Sequence, residues 1–169
     1  TTTRIPDGRF EVALPWIEGH PPLKSHEDIA IKRLETTVKK LEAIGRIDDY
    51  QAVFNDWLAE GIIEEVPKSE IENSCHYLPH RAVIKENSET TKIRPVFDAS
   101  AKGKGGTSLN ECLEKGRNLL ELIPKIIVGF RLRKIGIVSD IQKAFLQISI
   151  NPQERDFLRF LWKEKGTTT

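Results

Sequence analysis

Cysteine is scarce in this chain: two residues in 169, Cys75 and Cys112, too far apart to match any zinc-ligand spacing. They read as free thiols in a reducing compartment, which excludes a small secreted scaffold held by disulfides. Histidine is equally thin, with four residues scattered so that no metal cluster is visible. No apolar run reaches the roughly 18 residues needed to span a membrane, so no membrane partner is expected. The opening TTTRIPDGRF lacks an apolar h-region, so no secretory signal is visible. It also lacks an initiating Met, and the chain stops on KEKGTTT. Both ends are therefore expected to be cuts from something longer. Internal repeats and low-complexity segments are absent too.

Enough is present for a globular core. Hydrophobic residues make up 38% and charged residues 30%, a balance unlike that of disordered chains. The net charge of +1 is uninformative, but its distribution is not. His76 to Gln147 holds 13 Lys+Arg against 7 Asp+Glu, and the remainder holds 13 against 18. The basic part suits a phosphate-binding surface.

Periodicity gives the element order. Arg9–Trp16 alternates as a strand, and the Pro-rich turn Glu18–Pro22 follows. Ser25 is placed to cap a helix whose stripe is Ile31, Leu34, Val38 and Leu41 and which ends near Gly45. Asp48 or Asp49 can cap a second helix, with stripe Tyr50, Val53, Phe54, Trp57 and Leu58 and a stop at Gly61. That aromatic cluster reads as core. A short strand, Ile62–Val66, is expected next, then a polar loop from 67 to 76. Tyr77–Lys85 and Lys92–Asp98 are β-rich runs around a polar tip, the pattern of a hairpin. Pro79 and Pro95 each remove a ladder donor and so belong at edges or bulges.

Ala101–Thr107 (AKGKGGT) is a Gly/Lys-rich loop without the spacing of a Walker-type phosphate loop. A flexible linker and a phosphate cradle both remain open for it. Ser108 and Glu111 have capping-box spacing. Leu119–Arg133 is helical in pattern, with Pro124 either in the first turn or at a kink. Ile126, Ile127, Phe130 and Leu132 are expected to pack on a strand pair formed by Ile135–Ile150. That pair carries Asp140 at a strand end, a rigid place from which a carboxylate can meet a metal ion. Phe157–Trp162 (FLRFLW) is expected to be a further strand.

The run D-I-Q-K-A-F-L-Q-I from Asp140 resembles the first catalytic motif of reverse transcriptases. With Y-L-P-H-R-A-V-I-K, K-I-R-P-V-F-D-A-S-A-K, S-L-N-E-C-L and F-L-R-F-L-W in this order, nearly the whole chain resembles the reverse transcriptase of BEL/Pao-type long-terminal-repeat retrotransposons. The upstream R-F-E-V-A-L-P-W segment and its two helices resemble the connection between protease and polymerase in such polyproteins. The resemblance implies an α+β chain that is part of a right-hand polymerase. Residues 1–66 would be the connection, 67–134 the fingers-like hairpin, loop and helix, and 135–169 the start of a ferredoxin-like palm.

The same resemblance implies the chemistry. Catalysis would use two Mg2+ ions, with Mn2+ as the alternative, clamped about 3.5–4 Å apart. Asp140 would be the catalytic carboxylate and a metal ligand, and the carbonyl of Ile141 a further ligand. Phe145 would lie under the sugar and exclude a 2′-hydroxyl, the competing reading being a core Phe. Arg94 and Lys85 would grip the triphosphate, with Lys92 competing for the Lys85 role if the hairpin register slips by two. Gln147 would touch template or nucleotide. The implied partners are an RNA or DNA template with primer, deoxynucleoside triphosphates and the remainder of the polyprotein. The implied location is cytoplasmic, in retrotransposon particles if the element is active. One departure stands out: the family's later Y-x-D-D-type block is absent, and Asp48-Asp49 sits in a helical context that cannot replace it. The chain alone is therefore expected to be inactive. The contrasting expectation is a non-catalytic nucleic-acid-binding or assembly remnant.

Overall fold

A computed structural model of the chain describes residues 2–6, 8–87, 92–132, 134–141 and 143–163. The architecture is α+β. Strands β1 (Thr2–Arg4) and β2 (Phe10–Val12) pair antiparallel, and helices α1 (Glu27–Ala43) and α2 (Ile47–Ala59) follow. Strands β3 (His80–Ile84) and β4 (Ile93–Phe97) form an antiparallel hairpin. Helices α3 (Leu109–Cys112) and α4 (Ile123–Arg131) lead to β5 (Ile148–Ile150), which joins the first sheet parallel to β2. Among the described residues no helix is long and apolar enough to cross a membrane.

The core lies between the two long helices, the hairpin and the last described residues. Leu41, Tyr50, Phe54 and Ile93 are buried together, with Trp57, Phe97, Phe160 and Trp162 packed around them. Hairpin period decides which side faces this core, because successive strand residues point to opposite faces. His80, Ala82 and Ile84 lie opposite Phe97, Pro95 and Ile93, and this is the inner face. Phe160 stacks on Phe54 at 5.2 Å between ring centroids, and Trp162 meets Tyr50 edge-on at 5.3 Å. Each such aromatic pair adds about 0.5–1.5 kcal/mol beyond area burial.

A polar chain runs through the apolar centre. His80 Nε2 lies 2.8 Å from the Leu161 carbonyl and must be the protonated nitrogen; Nδ1 then accepts from the Tyr50 hydroxyl at 2.8 Å. The Thr37 hydroxyl donates to the His80 carbonyl at 3.1 Å. This bond explains a difference from the expected α1 stripe. The helix buries Ala30, Thr37 and Leu41, while Ile31 is exposed. A threonine with an acceptor in reach is buried in place of a larger apolar residue without one.

Other differences have local causes. The N-cap of α1 is His26, in the left-handed region at φ 56°, and not Ser25, whose carbonyl accepts from Tyr77 N–H. Helix α2 starts at Ile47, slightly before the expected acids, which occupy its first turn. The N-terminal strand is confined to Phe10–Val12, because Leu14 N–H is taken by the Glu154 carboxylate at 2.8 Å, which also accepts the Trp16 indole N–H at 2.8 Å. Residues 62–66 form no strand; Ile62 and Ile63 N–H groups turn back to the Trp57 carbonyl. Pro124 stands in the first turn of α4. The Ser108–Glu111 capping box is formed, and the Lys102 ammonium, then the Ser108 N–H, holds the Glu111 carboxyl down to about 2.

Phe157–Trp162 is not a strand of a sheet. A 3₁₀ segment, Pro152–Leu158, leads into an isolated bridge between Arg159 and Tyr77. Arg159 is buried, bonded to Asp156 and to the carbonyls of Glu70 and Ile71. Its five donors suit this fork of acceptors.

Removing the Tyr50 hydroxyl strands His80 Nδ1 in the core. Tyr50→Phe should destabilise the fold by about 1–3 kcal/mol in urea unfolding. Burial also holds the His80 imidazole below its ordinary value, with the Leu161 carbonyl opposing. Burial lowers His76 likewise. The folded state thus favours neutral rings. This contribution is complete above the unfolded value of about 6.5 and is lost as pH falls through it towards the folded values. Melting temperature should therefore drop between pH 7.5 and 5; a flat profile would contradict neutral buried rings.

Candidate nucleotide and nucleic-acid interface

The outer face of the hairpin is basic. Arg81 lies opposite Val96 and Val83 opposite Arg94, and all four point away from the core. One step beyond the ladder, Lys85 N–H donates to the Lys92 carbonyl at 2.8 Å, which sets the two lysines opposite each other. Both assignments considered for the second cation therefore fall on one face, next to Arg94. Arg81 joins them, although it was not singled out in the sequence. Its period-two spacing from Lys85 was the available signal. Like charges directly across a strand pair repel, so this arrangement serves an anion better than it serves the hairpin.

A cavity of about 430 Å³ opens here, lined by Lys85, Glu86, Asn87 and Arg94. The Glu86 carboxylate in it is 3.4 Å from Arg46, which also contacts Asp49 at 2.5 Å. The hairpin tip is thereby tied to the α1–α2 junction, and part of the acid's charge is offset. Residues 88–91 of the expected tip lie outside the described residues.

The acidic motif is built differently from the expected strand–turn–strand. Residues 134–141 have no regular structure, and the Asp140 carboxylate accepts the N–H of Ile141 at 3.0 Å. Lys143 adopts a left-handed conformation at φ 52°, and its ammonium bonds both Glu60 oxygens at 2.9 and 2.8 Å. This ion pair fixes the segment to the end of α2. Ala144–Gln147 then forms a 3₁₀ turn, with Gln147 exposed. Only Ile148–Ile150 is a strand, and its partner is β2, not the Asp140 segment.

Ile126, Ile127, Phe130 and Leu132 do not pack on a strand pair, because that pair is not formed; all four are exposed. Ile137 and Val138 are also exposed, at 86% and 85%. One close approach remains. A Cβ at Gly136 would come within 2.3 Å of the Phe130 ring, so any side chain there requires this exposed ring to move aside. Phe160 and Trp162, in contrast, do find partners in the core.

Phe145 is 90% exposed, which removes the core-Phe reading. It lines a groove of about 640 Å³ with Leu58, Leu146, Ile148 and Leu158. The proposed nucleotide residues thus fall into two sets. Lys85, Lys92 and Arg94 share the hairpin face. Asp140, Ile141, Phe145 and Gln147 follow one another along the segment tied to Glu60. Neither cavity is lined by members of both sets.

Among the described residues no group of three or more His, Cys, Asp or Glu side chains is placed to hold a metal ion. Asp140 supplies one carboxylate. These residues do not fit a two-ion centre by themselves, since each ion needs several oxygen ligands. Compared with family models, curated proteins and solved structures, the chain gives no significant match.

The Glu60–Lys143 pair is exposed and should contribute at most about 1 kcal/mol to stability. Its role is positional. Glu60→Ala should leave the melting temperature nearly unchanged while speeding amide exchange over residues 143–147. Unchanged exchange there would show that something else fixes the segment.

Proposed function

We propose that this chain is the fingers and first acidic motif of a reverse transcriptase of the BEL/Pao type, a right-hand RNA-directed DNA polymerase. The observation that carries the reading is the hairpin register, which gathers Lys85, Lys92 and Arg94 on one face beside a cavity. Cations so placed can hold triphosphate oxygens, and the planar Arg94 fork suits bidentate contact. The exposed ring of Phe145, five residues after Asp140, is available to a nucleotide sugar. Template with primer and deoxynucleoside triphosphates are the partners in this reading. Its location is the cytoplasmic particle of a retrotransposon.

The lone Asp140 carboxylate favours a second role for the chain taken alone: nucleic-acid binding without catalysis. Nucleotidyl transfer belongs to a protein that adds the remaining carboxylates to Asp140. The chain by itself should show no primer extension; robust extension would contradict the proposal.

Binding tests the hairpin directly. A deoxynucleoside triphosphate should bind the chain, and the matching nucleoside should not. Arg94→Ala should weaken ribo- and deoxynucleotide binding together by about tenfold, the scale of one charge-assisted contact. Equal binding by wild type and variant would remove Arg94 from the site. In a polymerase-competent protein carrying this chain, Phe145→Val should raise kcat/KM for ribonucleotides relative to deoxynucleotides. A steric gate of about 1–3 kcal/mol predicts one to two decades. An unchanged ratio with robust extension would assign Phe145 no part in sugar selection.

A further inference from the structure

The Gly/Lys loop Ala101–Thr107 has no part in the hairpin reading, yet it sits on an unusual residue. His26 caps the 17-residue helix α1 in a left-handed conformation, and its ring belongs to a residue only 6% exposed. Neither ring nitrogen has a partner. A buried polar group left unpaired is costly, and such groups are rare in folded proteins. His76, whose ring centroid is 5.0 Å away, cannot relieve it by its Nδ1, which is taken by the Lys24 carbonyl at 2.7 Å.

The free Nε2 of His26 faces the loop. A Cβ built on Gly106 would lie 3.6 Å from it and 3.3 Å from the Gly103 carbonyl. Gly105 has φ +70°, and Gly106 N–H closes the turn onto Gly103. Among the described residues the N–H groups of Gly103, Lys104 and Gly105 donate to no backbone carbonyl, and Lys104 has no ion pair. Lys102 is already committed to Glu111.

We propose that His26, the Gly103–Gly105 backbone and Lys104 form a phosphate-group site at the N-terminus of α1, entered when the loop lifts. The donors match an oxyanion: an imidazole N–H, glycine amides able to approach closely, a lysine, and the positive end of a helix dipole. Two acids, Glu27 and Asp28, stand in the same first turn. Both are exposed, and neither reaches a His26 ring nitrogen. Their repulsion keeps the site moderate in affinity and selective for a ligand that meets His26 directly. The site stands independently of the hairpin, which lies on other residues.

The test is a titration of the full chain with inorganic phosphate, and separately with a short single-stranded oligonucleotide, followed by NMR. Phosphate should give a saturable shift of the His26 ring and of the Gly103–Gly106 amides. His26→Asn keeps a residue that tolerates the left-handed cap and should weaken phosphate binding about tenfold by removing one charge-assisted bond. Lys104→Ala, an exposed change that spares the fold, should weaken it several-fold. A Lys85→Ala/Arg94→Ala double variant should leave the His26 response intact. A response to the oligonucleotide with the same residues would identify a phosphodiester as the source, and a response to phosphate alone a free anion. No shift at His26, or shifts confined to residues 81–96, would overturn the proposal without touching the hairpin reading. Full binding by His26→Asn and Lys104→Ala would overturn it as well.

Discussion

The orientation of the whole hairpin depends on one buried imidazole. His80 joins three elements through hydrogen bonds: α2 through Tyr50, α1 through Thr37 and the C-terminal segment through the Leu161 carbonyl. A strand side chain pointing inward forces its neighbours outward. With His80 fixed towards the core, Arg81, Val83 and Lys85 must face solvent. A slip of one residue would bury cations and expose Ile84 and Ile93, at a cost no local gain could offset. The same residue that completes the core thus sets the chemistry of the surface.

That surface is locally unfavourable and globally tolerated. Lys85 and Lys92 oppose each other, with Arg94 and Arg81 nearby. Cross-strand repulsion costs a few tenths to about 1 kcal/mol per pair, less than the burial of the inner face provides. Glu86 relieves part of it from the cavity side but is itself held by Arg46. An arrangement of this kind gains stability when an anion arrives, which is the physical basis for the proposed triphosphate grip. The Asp140 segment is the opposite case. It has few packed contacts, one exposed ion pair to Glu60 and a run of exposed apolar residues, the marks of a region with low local stability.

The legible parts of the sequence were those governed by short-range rules. The capping box at Ser108, the two helices and the hairpin follow from spacing alone, whereas Pro124 could equally have been read as a kink. The illegible parts depend on long-range partners. Nothing near Leu14 announces that Glu154 will take its backbone N–H and end the strand early. Nothing near Ile31 shows that Thr37 will be buried in its place, because the acceptor is the carbonyl of His80. Arg159, read as one residue of an apolar strand, is instead a buried fork for distant carbonyls. Of the site, the basic residues were visible as a charge excess, and their meeting on one face required only the register. The strand expected at Asp140 failed for another reason. Alternating apolar residues specify a strand only when a neighbouring strand accepts its hydrogen bonds, and β5 pairs with β2 at the far end of the chain.

The central claim is that the outer hairpin face grips a nucleoside triphosphate. Paramagnetic broadening by a Mn2+-loaded deoxynucleoside triphosphate tests it most directly, because the ion travels with the phosphates and marks the residues around them. Broadening should centre on Lys85, Lys92 and Arg94 and extend to Arg81. Broadening centred on the groove beside Phe145 and Leu158, or none at the hairpin under saturating nucleotide, would contradict it.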